Sequence, residues 1–558
     1  IGAVTYVTGV RRPDAISESY DAIFHYNAVR YIEQTGKASP LGIGTLGQPG
    51  GQGTFYPDAW HAMAALLGEL TGASIPVAAT VTCLVVAVLV WPLSCLLLAR
   101  HLFGASGGRA TVAVVVTGMV SSLFGAFPWV LIGTWGVLWP NALGLALAPA
   151  GVAAGLAVLR VSDGDTFGPV RRWVFAAASA WAIFIAHPNS AFSVALVCLF
   201  PLLALIGPYV ARQWSRHTLA TTVALLGLLV LAVIGLSVAS TRGPLRVMEI
   251  QHWPRWQTPQ QAVLSAFNNS TNGVVAAEWI LAAFVVIGAV TCLVWRQRRW
   301  LVCAELVIAA LYIASTAIGS HLTRPFTGPW YNDSYRFAAT LPIVAIPLIT
   351  TGVLAAGALL YRAACRASVA ARPALAVALP VAVGVVVAGA TAIQNVPDNV
   401  HAVGREFSSS GADTFVSPAK LQFLKTAARL VPATALVADD PFAGSAYLYS
   451  LSGTRVLFPY AGVAGNNRNV AYLAQNLVHL QQDPRACALV RRYGVGYMIV
   501  VPDAYLNKHQ MPGFYGTGVT YPKPDSGFRL IASDGRLRLY QITICQPGNA
   551  GPVEAAGR

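Results

Sequence analysis

The feature that most constrains this chain is the recurrence of apolar runs about twenty residues long, the length a helix needs to cross the hydrocarbon core of a bilayer. Such runs fall at about 75–99, 110–127, 141–159, 173–187, 190–210, 218–240, 274–295, 300–319, 337–361 and 373–394 of the 558 residues. Only 11% of residues are charged, against about 25% in a soluble domain, so the surface cannot be mostly water-facing. The pattern excludes a soluble enzyme, a disordered protein and a coiled coil, and predicts a polytopic α-helical membrane protein of about ten spans. The opening stretch IGAVTYVTGV reads as the tail of a further apolar span, so more spans are expected ahead of it.

The net charge of +15 would suggest a nucleic-acid partner in a soluble protein. Here its distribution argues against one. Arginines gather in short loops: Arg100 and Arg109; Arg160, Arg171 and Arg172; Arg212 and Arg216; Arg296, Arg298 and Arg299; Arg362, Arg366 and Arg372, diluted only by Asp163 and Asp165. They occupy every second connection, the positive-inside pattern of cytoplasmic loops in a multi-pass plasma-membrane protein. The other connections and both flanks are then extracytoplasmic, and they hold nearly all the carboxylates, histidines and aromatics suited to chemistry. These are SESYDAIFHYN (17–27), FYPDAWH (55–61), GAFPW (125–129), HPNS (187–190), TRGPLRVMEIQHWPRWQ (241–257) and TRPFTGPWYNDSYR (323–336).

Three regions follow: a first extracytoplasmic loop with amphipathic helices (1–74), a transmembrane domain (75–394) and a small extracytoplasmic α/β domain (395–558). In the last, 418–430 and 469–482 read as helices, and 435–440, 454–460 and 496–503 as strands. A terminal hairpin turns at Asp534-Gly535. Cys487 and Cys545 are the only cysteines of this domain, and an oxidising compartment favours a disulfide between them; two buried thiols are the alternative. The six cysteines in or beside the spans read as packing residues, and no metal-ligand spacing such as CxxC or HExxH occurs.

The strongest local signal is Asp21. It shares a helix face with His25, four residues on, and lies near Glu18. Tyr20, Phe24 and Tyr26 around it predict a packed, partly desolvated carboxylate that could serve as a general base towards a sugar hydroxyl. A solvated interfacial helix is the alternative. FYPDAWH contributes Tyr56, Asp58 and His61, as a sugar site or as an anchor of the loop. In PWYNDSYR, Tyr331, Asn332, Asp333 and Arg336 sit where a loop enters a span. Arg336 there either grips a lipid phosphate as a fork or merely pairs with Asp333 to cap the helix. His187 and Asn189 of HPNS end another span, where a charged imidazole would help neutralise a departing phosphate; a plain helix stop with a solvated histidine is the alternative. The glycine-rich GQPGGQG (47–53) lacks the context of a phosphate loop and reads as a mobile loop, so no nucleotide site is visible.

An aspartate in the first large extracytoplasmic loop, many spans and a C-terminal extracytoplasmic α/β domain together resemble the C superfamily of glycosyltransferases, which use polyprenyl-phosphate sugars. YDAIFH is similar to the Asp-aromatic-His patterns of that superfamily's first loop. YDAIFHYN, FYPDAWH, HPN and PWYNDSYR resemble more narrowly an actinobacterial family of large membrane proteins, one mycobacterial member of which is thought to transfer galactosamine onto cell-wall arabinogalactan. The resemblance implies Asp21 as the catalytic base, a polyprenyl-phosphate sugar as donor, and a cell-wall glycan such as arabinan or arabinogalactan as acceptor. It makes no cofactor certain, although some members of the superfamily need a divalent metal. On this reading the protein is an inverting glycosyltransferase acting on the periplasmic side, with Asp21, His187 and Arg336 expected in one cavity. A lipid-linked-sugar flippase and a non-catalytic glycan-binding scaffold are the rivals; no inverted repeat supports the first.

Overall fold

The computed structural model describes residues 1–47, 55–164, 167–241, 246–366, 373–407, 416–462, 467–501, 519, 522 and 526–545. GQPGGQG after its first glycine, Asp165, Arg372 and the end of the 496–503 segment lie outside them. The chain divides into two compact units, Ile1–Arg11 with Cys83–Arg405, and Arg12–Thr82 with Glu406–Arg558.

The first unit is helical. Ile75–Phe103, Trp139–Val158, Pro188–Arg216, Arg299–Ile318, Ser334–Arg366 and Leu375–Phe407 are each long and apolar enough to cross a membrane; Ile75–Phe103 begins in the second unit. The pair Gly108–Val120 and Gly125–Gly133, bent by 43°, would make a seventh span. By length and apolarity among the described residues these are six or seven spans, against the ten expected. All ten segments fall on helices: Pro169–Ala186, which opens with Arg171 and Arg172 in its first turn, Thr218–Thr241 of 24 residues and Trp279–Val294 of 16 residues stand beside those already named. Pro188–Arg216 leaves Leu199, Leu202, Leu203, Leu205 and Ile206 exposed. A row of exposed large aliphatic side chains along one helix is suited to lipid rather than water. The molecule is a multi-pass membrane protein.

Two features set the ends of this unit. Trp279–Val294 and Ser334–Arg366 cross at glycines: a Cβ on Gly288 would lie 1.9 Å from the Leu348 carbonyl oxygen, and one on Gly352 2.6 Å from that of Phe284. Only the missing side chains allow that approach. At one end, the arginine-bearing connections meet. Asp163 N donates to the His101 carbonyl at 2.8 Å, His101 Nδ1 contacts Ser162 Oγ at 2.8 Å, and Arg298 pairs with Asp163. The opposite ends of the helices carry Trp135, Asn141, Asn189 and Asp333.

The second unit is built on a four-stranded sheet: β1 (Leu436–Ala438), β2 (Val495–Val500), β3 (Phe528–Asp534) and β4 (Leu537–Ile542), in the order β1-β2-β4-β3. β1 and β2 are parallel and the other pairs antiparallel. The hairpin forms as predicted, with Asp534 opposite Leu537 and Gly535 at φ +56°, a left-handed conformation that glycine adopts freely. Helices Pro418–Leu430 and Arg468–Asn476 match their patterns, the second ending earlier than 482, and a further helix, Pro484–Tyr493, follows. The segment 454–460 does not make a full strand. Val456 only bridges Val437, and Pro459 has no N–H with which to extend a ladder. Val470, Leu473, Leu477, Val490 and Met498 form the core.

The polar segment 12–82 is part of this unit. Its helix Tyr20–Thr35 starts at Ser19, whose Oγ accepts from Ala22 N, and ends at Gly36 in the left-handed region. Asn27 Nδ2 donates to the carbonyls of Ala446 (3.1 Å) and Pro459 (2.7 Å), and Arg30 donates through Nε and Nη2 to that of Ser450 at 3.1 and 2.8 Å. These bonds to carbonyls more than 400 positions away join the two stretches into one unit.

Cys487 and Cys545 are bridged, with Cα atoms 5.2 Å apart and a sequence separation of 58. Loop-entropy arguments put the stabilisation near 4 kcal/mol as an upper estimate. Replacing both cysteines with alanine is expected to lower the denaturation midpoint of the second unit. Thiol counting on the unreduced, denatured protein should find neither residue reactive.

Candidate functional site

In the first unit a polar cluster forms where Ser334–Arg366 begins. Asp333 is its N-cap: Oδ1 accepts from Tyr335 N at 2.9 Å, while Oδ2 accepts from Trp135 Nε1 at 2.9 Å and Arg336 Nε at 3.2 Å. Burial pushes the Asp333 carboxyl up, and Arg336, the indole and the amide hold it back. Arg336 is only 8% exposed. Its Nη1 donates to Asn141 Oδ1 at 2.9 Å, and its guanidinium lies 4.5 Å from the centre of the Tyr331 ring. No described residue accepts from Nη2.

Around the arginine the polar chain continues. Asn141 Nδ2 donates to Asn189 Oδ1 (2.6 Å) and Ser190 Oγ (3.0 Å), and His187 Nδ1 accepts from Asn189 N at 3.4 Å. The His187 ring centre lies 6.0 Å from that of Tyr331. Gly144 leaves room for this packing, since a Cβ there would fall 2.5 Å from Ser190 Oγ. Trp135 stacks on Tyr335 at 4.0 Å and is flanked by Trp253 and Trp256. Tyr331 and Asn332 both adopt positive φ. The Asn332 amide is fully engaged, donating to the carbonyls of Glu249 and Gln251 and accepting from Thr327. It holds the loop that presents Tyr331.

The second unit carries a different cluster. His25 Nδ1 and His61 Nε2 are 2.9 Å apart, both rings buried. Phe24 packs on Tyr56 at 4.5 Å and on Tyr460 at 5.2 Å; Tyr56 and Trp60 flank His61 at 5.8 and 5.3 Å. Burial, and then the neighbouring His25, hold the His61 imidazole well below its usual range, so it is neutral near pH 7. Burial raises the Asp58 carboxyl at the start of the Ala59–Thr71 helix. Buried Glu18 acts on Lys420, whose ammonium burial draws down to about 8 while Glu18 and Asp440 oppose the shift.

Asp21 departs from expectation. It lies in the first turn of Tyr20–Thr35, where the helix dipole favours a carboxylate, but it is exposed rather than packed. Ala22, Ile23, His25 and Tyr26 take the inward positions, and the neighbouring aromatics pack elsewhere, Tyr20 on Phe442 and Phe24 on Tyr56. Of the residues expected to act together, His187, Asn189, Tyr331, Asn332, Asp333 and Arg336 meet in the first unit. Glu18, Asp21, His25, Tyr56, Asp58 and His61 belong to the second.

Asn141 and Trp135 were not anticipated. A lone asparagine in the apolar run WPNALGLALAP was the available signal, since polar groups inside spans are costly unless they serve a purpose. Among the described residues no group of three or more His, Cys, Asp or Glu side chains is placed to hold a metal ion. Chemically, the first unit offers a buried, oriented guanidinium with one donor to spare, beside an imidazole and an amide, which suits an anion.

Residues 1–544 match the model of the family described as "Family of unknown function (DUF6541)", and the chain belongs to that family. No curated protein matches the sequence. Among solved structures, it is similar to the oligosaccharyltransferase of Archaeoglobus fulgidus in the apo form, with 14% identity over 89% of this chain and 68% of that one and a TM-score of 0.49. It is also similar to apo ArnT from Cupriavidus metallidurans, with 13% identity over 96% of each chain and a TM-score of 0.48. At these identities and scores the likeness assigns no activity.

The buried histidine pair generates a pH dependence. Above the unfolded value of about 6.5, His61 is neutral in both states and contributes no slope. Below it the unfolded chain binds a proton that the folded site refuses, so stability falls as pH falls, by up to about 1.4 kcal/mol per pH unit for one such group. His61→Gln is expected to flatten the fall in unfolding temperature between pH 6.5 and 5. An unchanged profile would show that His61 does not titrate in this way.

Proposed function

We propose that this protein is an inverting, membrane-embedded glycosyltransferase that moves a sugar from a polyprenyl-phosphate donor to a cell-wall glycan of the arabinan or arabinogalactan type. The observation that carries the reading is Arg336. A guanidinium oriented through Nε by Asp333 and through Nη1 by Asn141, with Nη2 uncommitted, is a preorganised phosphate receptor at the end of a span. The alternation of arginine clusters supports a cytoplasmic opposite end, and with it a receptor in the extracytoplasmic headgroup zone. Nucleotide sugars are absent there, so a lipid-linked donor is the available source.

In the proposed reaction Asp21 removes the proton from an acceptor hydroxyl, and that oxygen attacks the anomeric carbon on the face opposite the phosphate. The bond between the anomeric carbon and the phosphate oxygen breaks with inversion, and polyprenyl phosphate leaves carrying one more negative charge than it had as a diester. Arg336 and His187 meet that charge as it develops, so their contribution is larger in the transition state than in the bound donor. Asp333 positions Arg336 without touching sugar. Half-buried Tyr56 and Tyr460, at the edges of the aromatic cluster, are faces on which a sugar ring of the acceptor can lie. The assignment of Asp21 rests on the resemblance of YDAIFH.

The test is transfer by the purified protein from a synthetic decaprenyl-phosphate sugar to an arabinan oligosaccharide. Asp21→Asn should reduce turnover by roughly 10²–10⁴-fold, the usual contribution of a general base, while donor binding persists. Arg336→Ala should weaken donor binding and lower kcat/KM by roughly 10²-fold or more, as expected when one partner of a buried charge pair is lost. Full activity in Asp21→Asn would remove it as the base, and wild-type donor affinity in Arg336→Ala would remove the phosphate role.

A further inference from the structure

The arginine-bearing end of the first unit holds a cavity of about 240 Å³. Its floor is apolar or internally satisfied: Cys292, Leu354 and Ala358 line it together with Thr291 and Thr351, whose hydroxyls donate to carbonyls of their own helices. It opens about one turn past the glycine crossing of Trp279–Val294 with Ser334–Arg366. At Gly288 and Gly352 the two helices approach backbone to backbone. Its rim is cationic and aromatic: Arg109, Arg298, Gln297, Trp295 and Phe103.

The charge at this rim is not balanced. The Arg109 and Arg298 guanidiniums lie 5.7 and 5.3 Å from the same Phe103 ring centre, two like charges sharing one aromatic ring. Asp163 pairs with Arg298. Arg109 has no ion-pair partner among the described residues. An apolar floor under a net positive rim is complementary to an amphiphile with a negative head. Position agrees. From Arg336 to Leu354 and Ala358 a helix rises about 27–33 Å at 1.5 Å per residue, the thickness of a bilayer core. The cavity therefore lies in the headgroup zone of the leaflet opposite the Asp333–Arg336 cluster.

We propose that this cavity binds the headgroup of an anionic phospholipid in that leaflet, with Arg109 and Arg298 on the phosphate and the start of an acyl chain against Leu354 and Ala358. It is independent of the proposed transferase reaction and is read by binding alone. The full chain in detergent would be titrated with phosphatidylglycerol and with phosphatidylcholine, and bound lipid counted by native mass spectrometry.

Wild type should retain phosphatidylglycerol in preference to phosphatidylcholine. Arg109→Gln should weaken that binding by roughly fivefold, the effect of losing one basic residue near an anionic surface. Ala358→Phe, which fills the floor without changing charge, should weaken it as well. Arg212→Gln, an exposed arginine outside the cavity, should leave it unchanged, and millimolar inorganic phosphate should not displace the lipid. Wild-type binding in Arg109→Gln would overturn the proposal, whether or not Ala358→Phe folds. So would equal loss in Arg212→Gln, which would mean diffuse surface charge, or displacement by inorganic phosphate, which would mean a free-anion site.

Discussion

A guanidinium enclosed among apolar helices costs several kcal/mol unless its charge and its donors are met, and the first unit is arranged around meeting that of Arg336. Asp333 supplies the countercharge, and the same carboxylate closes the first turn of Ser334–Arg366 and fixes the Trp135 indole. Asn141 takes the next donor and passes the polar chain to Asn189 and Ser190, at the start of another span. Three helices are thus registered against one another by one ion pair and its hydrogen bonds. Removing either charge would leave the other buried alone, so the pair orients the site and locks the helix ends at once.

Much of the fold was legible from the periodicity of hydrophobic residues, because lipid-facing helices and half-buried strands impose different repeats. The helices beginning at Ile75, Pro188, Arg299 and Ser334 and the hairpin at Gly535 were all readable in this way. The span count was less so: an apolar run does not fix the length of its helix, and the run at 274–295 forms a helix of only 16 residues, Trp279–Val294. The strand expected at 454–460 failed because Pro459 interrupts pairing that the side-chain pattern would allow. The union of 12–82 with 406–558 rests on Asn27 and Arg30 reaching distant backbone carbonyls, and no local pattern encodes the partner of such a bond.

The site was legible in kind but not in assembly. PWYNDSYR and HPNS were readable as chemistry-bearing ends of spans, and their residues meet. Of the alternatives weighed for Arg336, the pairing is present: Asp333 caps the helix and pairs with the arginine, and Nη2 is left without a described acceptor. The aromatics around Asp21 misled for a simple reason. At a helix N-terminus neighbouring positions face in different directions, so Tyr20, Phe24 and Tyr26 pack while Asp21 faces out. Asn141 escaped notice because a single polar residue in an apolar run gains meaning only through what it touches.

The central claim is that Arg336 is built to receive the phosphate of a lipid-linked donor. The most direct measurement is a structure of the protein in a lipid nanodisc with a non-transferable polyprenyl-phosphonate sugar. The account predicts a phosphonate oxygen at hydrogen-bond distance, about 2.7–2.9 Å, from Arg336 Nη2, with the His187 imidazole beside it and the Asp333–Arg336 and Asn141–Arg336 contacts intact. A phosphonate bound elsewhere, with Nη2 still unmet or turned to a protein acceptor, would contradict it.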